Sequence, residues 1–332
     1  MAKDQDRKIN MTLNEYKQNE MPLLWEIVEF SSNIPISLYV DSTVVKLPEA
    51  CYRGAMLSQT RLISEEYLLN FKRNSIDMAL PLGVSAYSNF SVKGSVSFRH
   101  FSEEIEKEKE NKIIQLPQYK NLNAPIGSVI RARRSIREWS MHPISLLDLS
   151  TILFYANGVS GEFDFSPEES PLPATISLGD KYRSKLRNAP SGGGLYPINL
   201  YLIIQNVENI EKGLYVYMPL SHALKQIKAF DEEDIEELYK ISQYGINIEN
   251  DKINIYIFYI YNLYENSRKY IDMGLAFAFI EAGEIAQNIY LASTALNLGP
   301  CDIGGYNKVL SERFLGIDGL SKHLLHLTLI GS

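Results

Sequence analysis

The sequence predicts an α+β protein. Two observations carry this. Apolar residues at helical spacing and apolar runs of strand type both occur along the chain, and they mix without regular βαβ alternation. The composition is 45% hydrophobic and 22% charged, ordinary for a globular enzyme and incompatible with global disorder. The 332 residues allow two domains, or one large domain with an extension.

The elements follow in order. Residues 21–30 read as a helix, 36–45 as strands and 64–71 as a short helix. The charge run at 102–112 reads as a solvated helix or linker. Residues 115–127, rich in Pro and Asn, read as an extended linker. A boundary near 115–125 therefore separates an N-terminal subdomain, 1–120, from a second domain, 121–332. Ser145 and Asp148 form a capping-box-like start for a helix with its stripe at Leu149, Ile152, Leu153 and Ala156, and Gly158 is its expected C′ stop. Residues 160–189, with three prolines, read as a long loop. Residues 199–205 are strand-like, 213–217 and 223–227 a hairpin, and 231–242 a capped polar helix. The Ile/Tyr run at 253–261 is a strand. Residues 268–298 read as one long helix ending at Gly299-Pro300, 308–315 as a short helix and 324–330 as a final strand.

Charge and cysteine usage narrow the function. A net charge of −7 disfavours nucleic acid as main partner. Cys51 and Cys301 are the two cysteines, too few for a disulfide framework or a Cys-based zinc site, which fits a reducing cytosol. The first twenty-one residues are polar, without the apolar run of a signal peptide. The longest apolar stretches fall short of the roughly 18 residues that a membrane span needs. The expectation is a cytoplasmic protein with no membrane association. His323 and His326, at i and i+3 of a strand-like run, point to opposite faces, so no metal site is expected.

Four constellations carry chemistry. Arg133-Arg134-Ser135-Ile136-Arg137 can clamp a phosphate, because guanidinium binds phosphate bidentately and a serine hydroxyl adds a donor. The alternative is a basic surface turn. Pro190-Ser191-Gly192-Gly193-Gly194-Leu195-Tyr196-Pro197 lets backbone approach a ligand closely. It is neither a P-loop nor a Rossmann fingerprint, and the alternative is a flexible loop. Arg268-Lys269-Tyr270 falls at the expected head of the long helix, where cations oppose the macrodipole. A lysine there has its pKa lowered, as a general base requires; the alternative is an exposed lysine. Gly299-Pro300-Cys301-Asp302-Ile303-Gly304-Gly305-Tyr306, after the long helix, is a second close-approach backbone. Glu281, Gln287 and Asn288 interrupt the apolar helix, and a satisfied polar face explains them equally. Cys301 reads as a small buried hydrophobe.

In this order the motifs resemble the flavin-dependent nitroreductase superfamily, over about residues 128–331. More narrowly, the chain resembles SagB-type azoline dehydrogenases, which work with a cyclodehydratase on ribosomally made peptides. The resemblance implies an α+β homodimer with a mixed or antiparallel sheet flanked by helices, and two FMN sites at the dimer interface. It implies that Arg133, Arg134, Ser135 and Arg137 hold the FMN phosphate and ribityl chain. Pro190, Ser191, Gly192 and Gly193 would line the isoalloxazine ring. Gln287 would reach the flavin from the long helix, and Gly304 and Gly305 would pass close to it. Lys269 and Tyr270 match the Lys-Tyr pair that azoline dehydrogenases place near the flavin; Lys181-Tyr182 is a second such pair without the strand-then-helix context. Two departures weaken an NAD(P)H nitroreductase reading: Gly194 stands where an Asn is common, and no basic residue follows the last strand.

The implied reaction is oxidation of a thiazoline or oxazoline to thiazole or oxazole. Lys269 or Tyr270 takes the α proton, hydride passes to the flavin, and dioxygen is the final acceptor. The implied partners are the azoline-containing peptide, a second copy of the chain and a cyclodehydratase complex. Residues 1–120 recognise the leader or the cyclodehydratase, or pack as a structural extension. An NAD(P)H-dependent FMN nitroreductase or quinone reductase, and a flavin-free scaffold in a peptide-modifying complex, are the alternatives.

Overall fold

A computed structural model describes residues 112–140, 142–164, 183–241 and 248–332, with Ser64, Tyr67, Leu68 and residues 81–84. The chain divides into two compact units, Met1–Arg73 and Asn74–Ser332. The expected helix at 21–30 and strands at 36–45, the charge run through 111 and the Lys181-Tyr182 pair lie outside the described residues. Ser64, Tyr67 and Leu68 are helical, within the expected 64–71 helix.

The second unit is built on one antiparallel sheet. Its strands are β1 (Ile113–Gln115), β4 (Ile198–Ile204), β5 (Gly213–Met218), β6 (Ala223–Ala229), β7 (Ile255–Asn262), β8 (Gly299–Ile303) and β9 (Lys322–Gly331), in the order β1-β6-β5-β4-β7-β9-β8. Every ladder between them is antiparallel. Strands β2 (Val159–Asp164) and β3 (Arg183–Arg187) make a separate ribbon.

The central strands are buried on both faces, which is why they read as near-continuous apolar runs. On β7, Ile255, Ile257, Tyr259 and Tyr261 join one core cluster; Tyr256, Phe258 and Ile260 join the other. The period of two is that of a strand. The first cluster is roofed by helices α2 (Leu146–Asn157) and α5 (Met273–Ala295), through Leu149, Ile152, Leu153, Ile285 and Ile289. The second packs against Leu238 of α3 (Glu232–Ile241) and against Leu315, which follows α6 (Lys308–Phe314).

The cap of α2 is as expected: Ser145 Oγ accepts from Asp148 N at 3.0 Å. Its end differs. Gly158 has φ −72, so no left-handed stop is made. Glycine is needed there because a Cβ would lie 2.7 Å from Phe154 O.

Other expectations are corrected. Part of the long loop, 160–164 and 183–187, pairs within the β2–β3 ribbon, and the expected linker contains the end of β1 and the start of helix α1 (Ile126–Ala132). Residues 299–303 are strand β8 at the sheet edge. The expected helix over 268–298 is two helices, α4 (Leu263–Tyr270) and α5. They part at Ile271, with φ 51 and ψ −132, a conformation that a β-branched residue rarely takes. Buried Asn266 bridges the break: it accepts from Tyr261 Oη and donates to Gly274 O, both at 2.8 Å. Helix α5 ends at Ala295, before left-handed Asn297, rather than at Gly299.

Candidate active site

The basic motif lies on an extended arm after α1. In extended backbone alternate side chains face opposite ways. Arg133, Ser135 and Arg137 are half-buried, whereas Arg134, Ile136 and Glu138 are exposed. Trp139 anchors the arm to the edge of the sheet, donating through Nε1 to Gly299 O at 2.7 Å, and Ile136 N donates to Pro300 O at 3.0 Å. Arg134 turns back onto the carbonyls of Arg131 and Arg133. The structure therefore separates Arg134 from the other three motif residues.

Arg133 and Ser135 open onto a cleft of about 410 Å³, lined by α5 (Phe279, Ala282, Gly283, Ala286, Gln287, Tyr290), Asp302, Leu325 and His326. The size is that of a small-molecule site. Tyr290 ties its walls together. Its hydroxyl accepts from Asp302 N at 2.7 Å and lies 3.1 Å from Ser135 Oγ, and Arg133 sits over its ring at 5.3 Å. Burial pushes the Tyr290 phenol up, so it stays a neutral hydroxyl. Arg137 reaches toward Ser135 O and Cys301; its Nε is buried with no hydrogen-bond partner. Cys301 is fully buried, and that burial raises its thiol.

The glycine loop is shaped, as its composition implied. Ser191 Oγ donates to Glu281 Oε2 at 2.5 Å and accepts from Tyr196 N at 2.8 Å. Glu281, on α5, is 2% exposed and also accepts from Ile198 N. Tyr196 Oη accepts from Arg187 N at 2.9 Å. The loop is thereby fastened to α5 and to β3, and Gly193 takes φ +66. A Cβ at Gly193 would stand 2.6 Å from Lys269 Nζ and 2.7 Å from Tyr270 Oη. A Cβ at Gly192 would touch Phe277 and Tyr270. Pro190 is exposed beside them.

Thus Gly192, Gly193, Lys269 and Tyr270 come together. Lys269 is buried, its ammonium 5.1 Å from the Tyr270 ring centre, and Tyr270 meets Phe277 edge-on. The pair closes α4 instead of opening the long helix. A helix C-terminus favours cations, so the expected dipole argument has the wrong sign. Arg268 is turned away, paired with Glu265. Gly304 and Gly305 are exposed after β8, and open space surrounds a Cβ at Gly304. Sequence reasoning did not single out Tyr290, met Asp302 only within the close-approach backbone after the long helix, and weighed His326 only as a metal ligand. It noted Glu281 only as a break in an apolar helix.

These residues fit FMN. The cleft offers Arg133 and Ser135 beside apolar Phe279, Ala282 and Ala286, a donor set for a phosphate next to a surface for a flat ring. Arg137, whose buried Nε lacks an acceptor, is not among the residues that line the cleft. Gly193 leaves open the space that a Cβ would fill before Lys269 and Tyr270. Among the described residues no three His, Cys, Asp or Glu side chains converge on a metal position. No described helix is long and apolar enough to cross a membrane.

The family model for nitroreductases matches residues 130–332, and the chain belongs to the nitroreductase family. Two relatives bracket it. MJ1384 of Methanocaldococcus jannaschii, named as a nitroreductase, is 31% identical over 193 residues, 58% of this chain and 84% of that protein. The microcin B17-processing protein McbC of Escherichia coli is 27% identical over 184 residues, 48% of this chain and 66% of that protein. A crystal structure of a Ralstonia eutropha nitroreductase superposes with a TM-score of 0.51 at 22% identity. It covers 66% of this chain and 88% of that one, and agrees with the nitroreductase-like α+β fold.

Proposed function

We propose that this protein is an FMN-dependent dehydrogenase that oxidises thiazoline or oxazoline rings of a ribosomally made peptide to thiazoles or oxazoles. The observation that carries this reading is the meeting of Lys269 Nζ and Tyr270 Oη with the glycine loop at Gly193. It is supported by family membership, whose members generally bind FMN, and by similarity to a peptide-processing relative.

Bound FMN would supply a hydride acceptor that dioxygen can reoxidise. The chain's own residues do the rest. Arg133, Ser135 and Arg137 hold the phosphate and ribityl chain, and Gln287 contacts the flavin from α5. Ser191, held by Glu281, fixes the loop against which the ring packs. Lys269 or Tyr270 removes the α proton of the azoline. The ring loses one proton and one hydride and gains aromaticity.

Two copies complete the site. Glu281 and Phe277 face the glycine loop, whereas Phe279, Gly283, Ala286 and Gln287 line the cleft. At about 100° per residue these positions lie on different sides of α5. A second copy packed across the exposed Phe279 and Ile280 sets its own glycine loop and Lys-Tyr pair over the cleft. The azoline substrate has to be supplied by a cyclodehydratase, which condenses a Cys, Ser or Thr side chain onto the preceding carbonyl. Residues 1–120 are the segment proposed to meet that enzyme or the peptide leader.

Lys269→Ala, assayed with FMN and a thiazoline peptide, is expected to keep bound flavin and lose azole formation. Full activity in that variant removes Lys269 from the mechanism. Rapid bleaching of the flavin by NAD(P)H, without azole formation from the peptide, contradicts the dehydrogenase reading.

A further inference from the structure

The cleft holds a pair that the chemistry above does not use. Asp302, on β8, and His326, on β9, line it with Arg133, Ser135 and Tyr290. His326 Nε2 lies 3.2 Å from Asp302 Oδ1. Thr328 Oγ1 donates to the same oxygen at 2.6 Å and is 2.8 Å from Tyr259 Oη. On its other side, Asp302 N donates to Tyr290 Oη, which contacts Ser135 Oγ. Three contacts therefore connect His326, through Asp302 and Tyr290, to Ser135. The imidazole and Arg133 line the same cleft.

A bare carboxylate next to an anion site repels the anion, but this one is engaged by Thr328 and His326. A protonated imidazole cancels the Asp302 charge and leaves Arg133 unopposed. The groups that face or share the cleft with His326 are Asp302 on β8, Tyr259 on β7, Tyr290 on α5 and Arg133 on the arm. Asp302 is the acid among them.

We propose that His326, oriented by Asp302, is a second cationic contact for the phosphate monoester of the flavin, beside Arg133. This rests on the FMN reading above. Asp302 then acts as a positioning residue, and the second ring nitrogen supplies the N–H to the phosphate.

The test is fluorescence titration of the full chain, stripped of bound flavin, with FMN and with riboflavin, which lacks the phosphate. His326→Gln is expected to weaken FMN about tenfold, the scale of one charge-assisted contact, and to leave riboflavin unchanged. His326→Lys restores FMN binding. Equal weakening of both flavins, or unchanged FMN binding in His326→Gln, overturns the inference while the FMN reading stands. A wild-type chain that binds neither flavin overturns the FMN reading itself.

Discussion

Replacing Gly193 with Ala tests the junction of the glycine loop and the Lys-Tyr pair. The added Cβ meets Lys269 Nζ at 2.6 Å and Tyr270 Oη at 2.7 Å. Non-bonded heavy atoms settle near 3.5 Å, so the head groups must withdraw by about 0.8–0.9 Å. A misplacement of about 1 Å at a reacting group can lower a rate about 100-fold. Stability changes for a separate reason. An alanine at φ +66 costs about 1–2 kcal/mol, or roughly 2–8 °C of melting temperature in a domain of this size. Gly194→Ala is the matched control. Its φ is +64, but the nearest atom to its Cβ is Tyr196 Cε2 at 4.0 Å. Both variants should melt a few degrees early, and Gly193→Ala alone should lose azoline oxidation. The assay is mass spectrometry of a thiazoline peptide after incubation with FMN, beside thermal melts of both proteins. Equal activity in the two variants refutes the assignment of the Gly193 space to the reacting groups.

Three further outcomes are expected. Tyr290→Phe leaves Asp302 N and Ser135 Oγ without their shared partner, so it destabilises the fold by about 1–3 kcal/mol and weakens flavin retention, measured by denaturant titration and bound-flavin content. Glu281→Ala unfastens Ser191 and speeds amide exchange at Tyr196, while Glu281→Gln keeps an acceptor and most of the stability; hydrogen exchange on both variants checks this. His222, between Ser150 and Tyr217 at 2.7 and 2.9 Å, has its pKa lowered by burial. Its folded value lies below the unfolded imidazole value of about 6.5, so stability is full above that pH and declines as pH falls through the folded value. His222→Gln should flatten this acid loss in urea midpoints, and an unchanged loss would sink the assignment.

Much of the sheet was legible because its signals are local. The Ile/Tyr alternation of β7 and the Ser145 cap of α2 need no distant partner to be read. Strand β8 was not legible: Gly299-Pro300 reads as a stop, and only the ladder with β9 makes 299–303 a strand. The break at Ile271 was hidden because isoleucine carries no turn preference; Asn266 and Gly274, closing on each other across it, impose it. At the site, Arg133 and Ser135 of the arm motif line the cleft, and the exposure of Arg134 follows once the arm is known to be extended. Asp302 and His326 were not legible as a pair, since 24 residues separate them and strand pairing alone unites them. The i, i+3 argument used for His326 misleads, because a register shift interrupts β9 between Leu324 and His326.

The most direct test of azoline oxidation is to incubate the purified chain, FMN and a synthetic thiazoline-containing peptide in air and weigh the peptide by mass spectrometry. Loss of two hydrogens per ring, dependent on FMN and absent with Lys269→Ala, is the expected result. A peptide of unchanged mass in the presence of a folded, FMN-bound chain would contradict it.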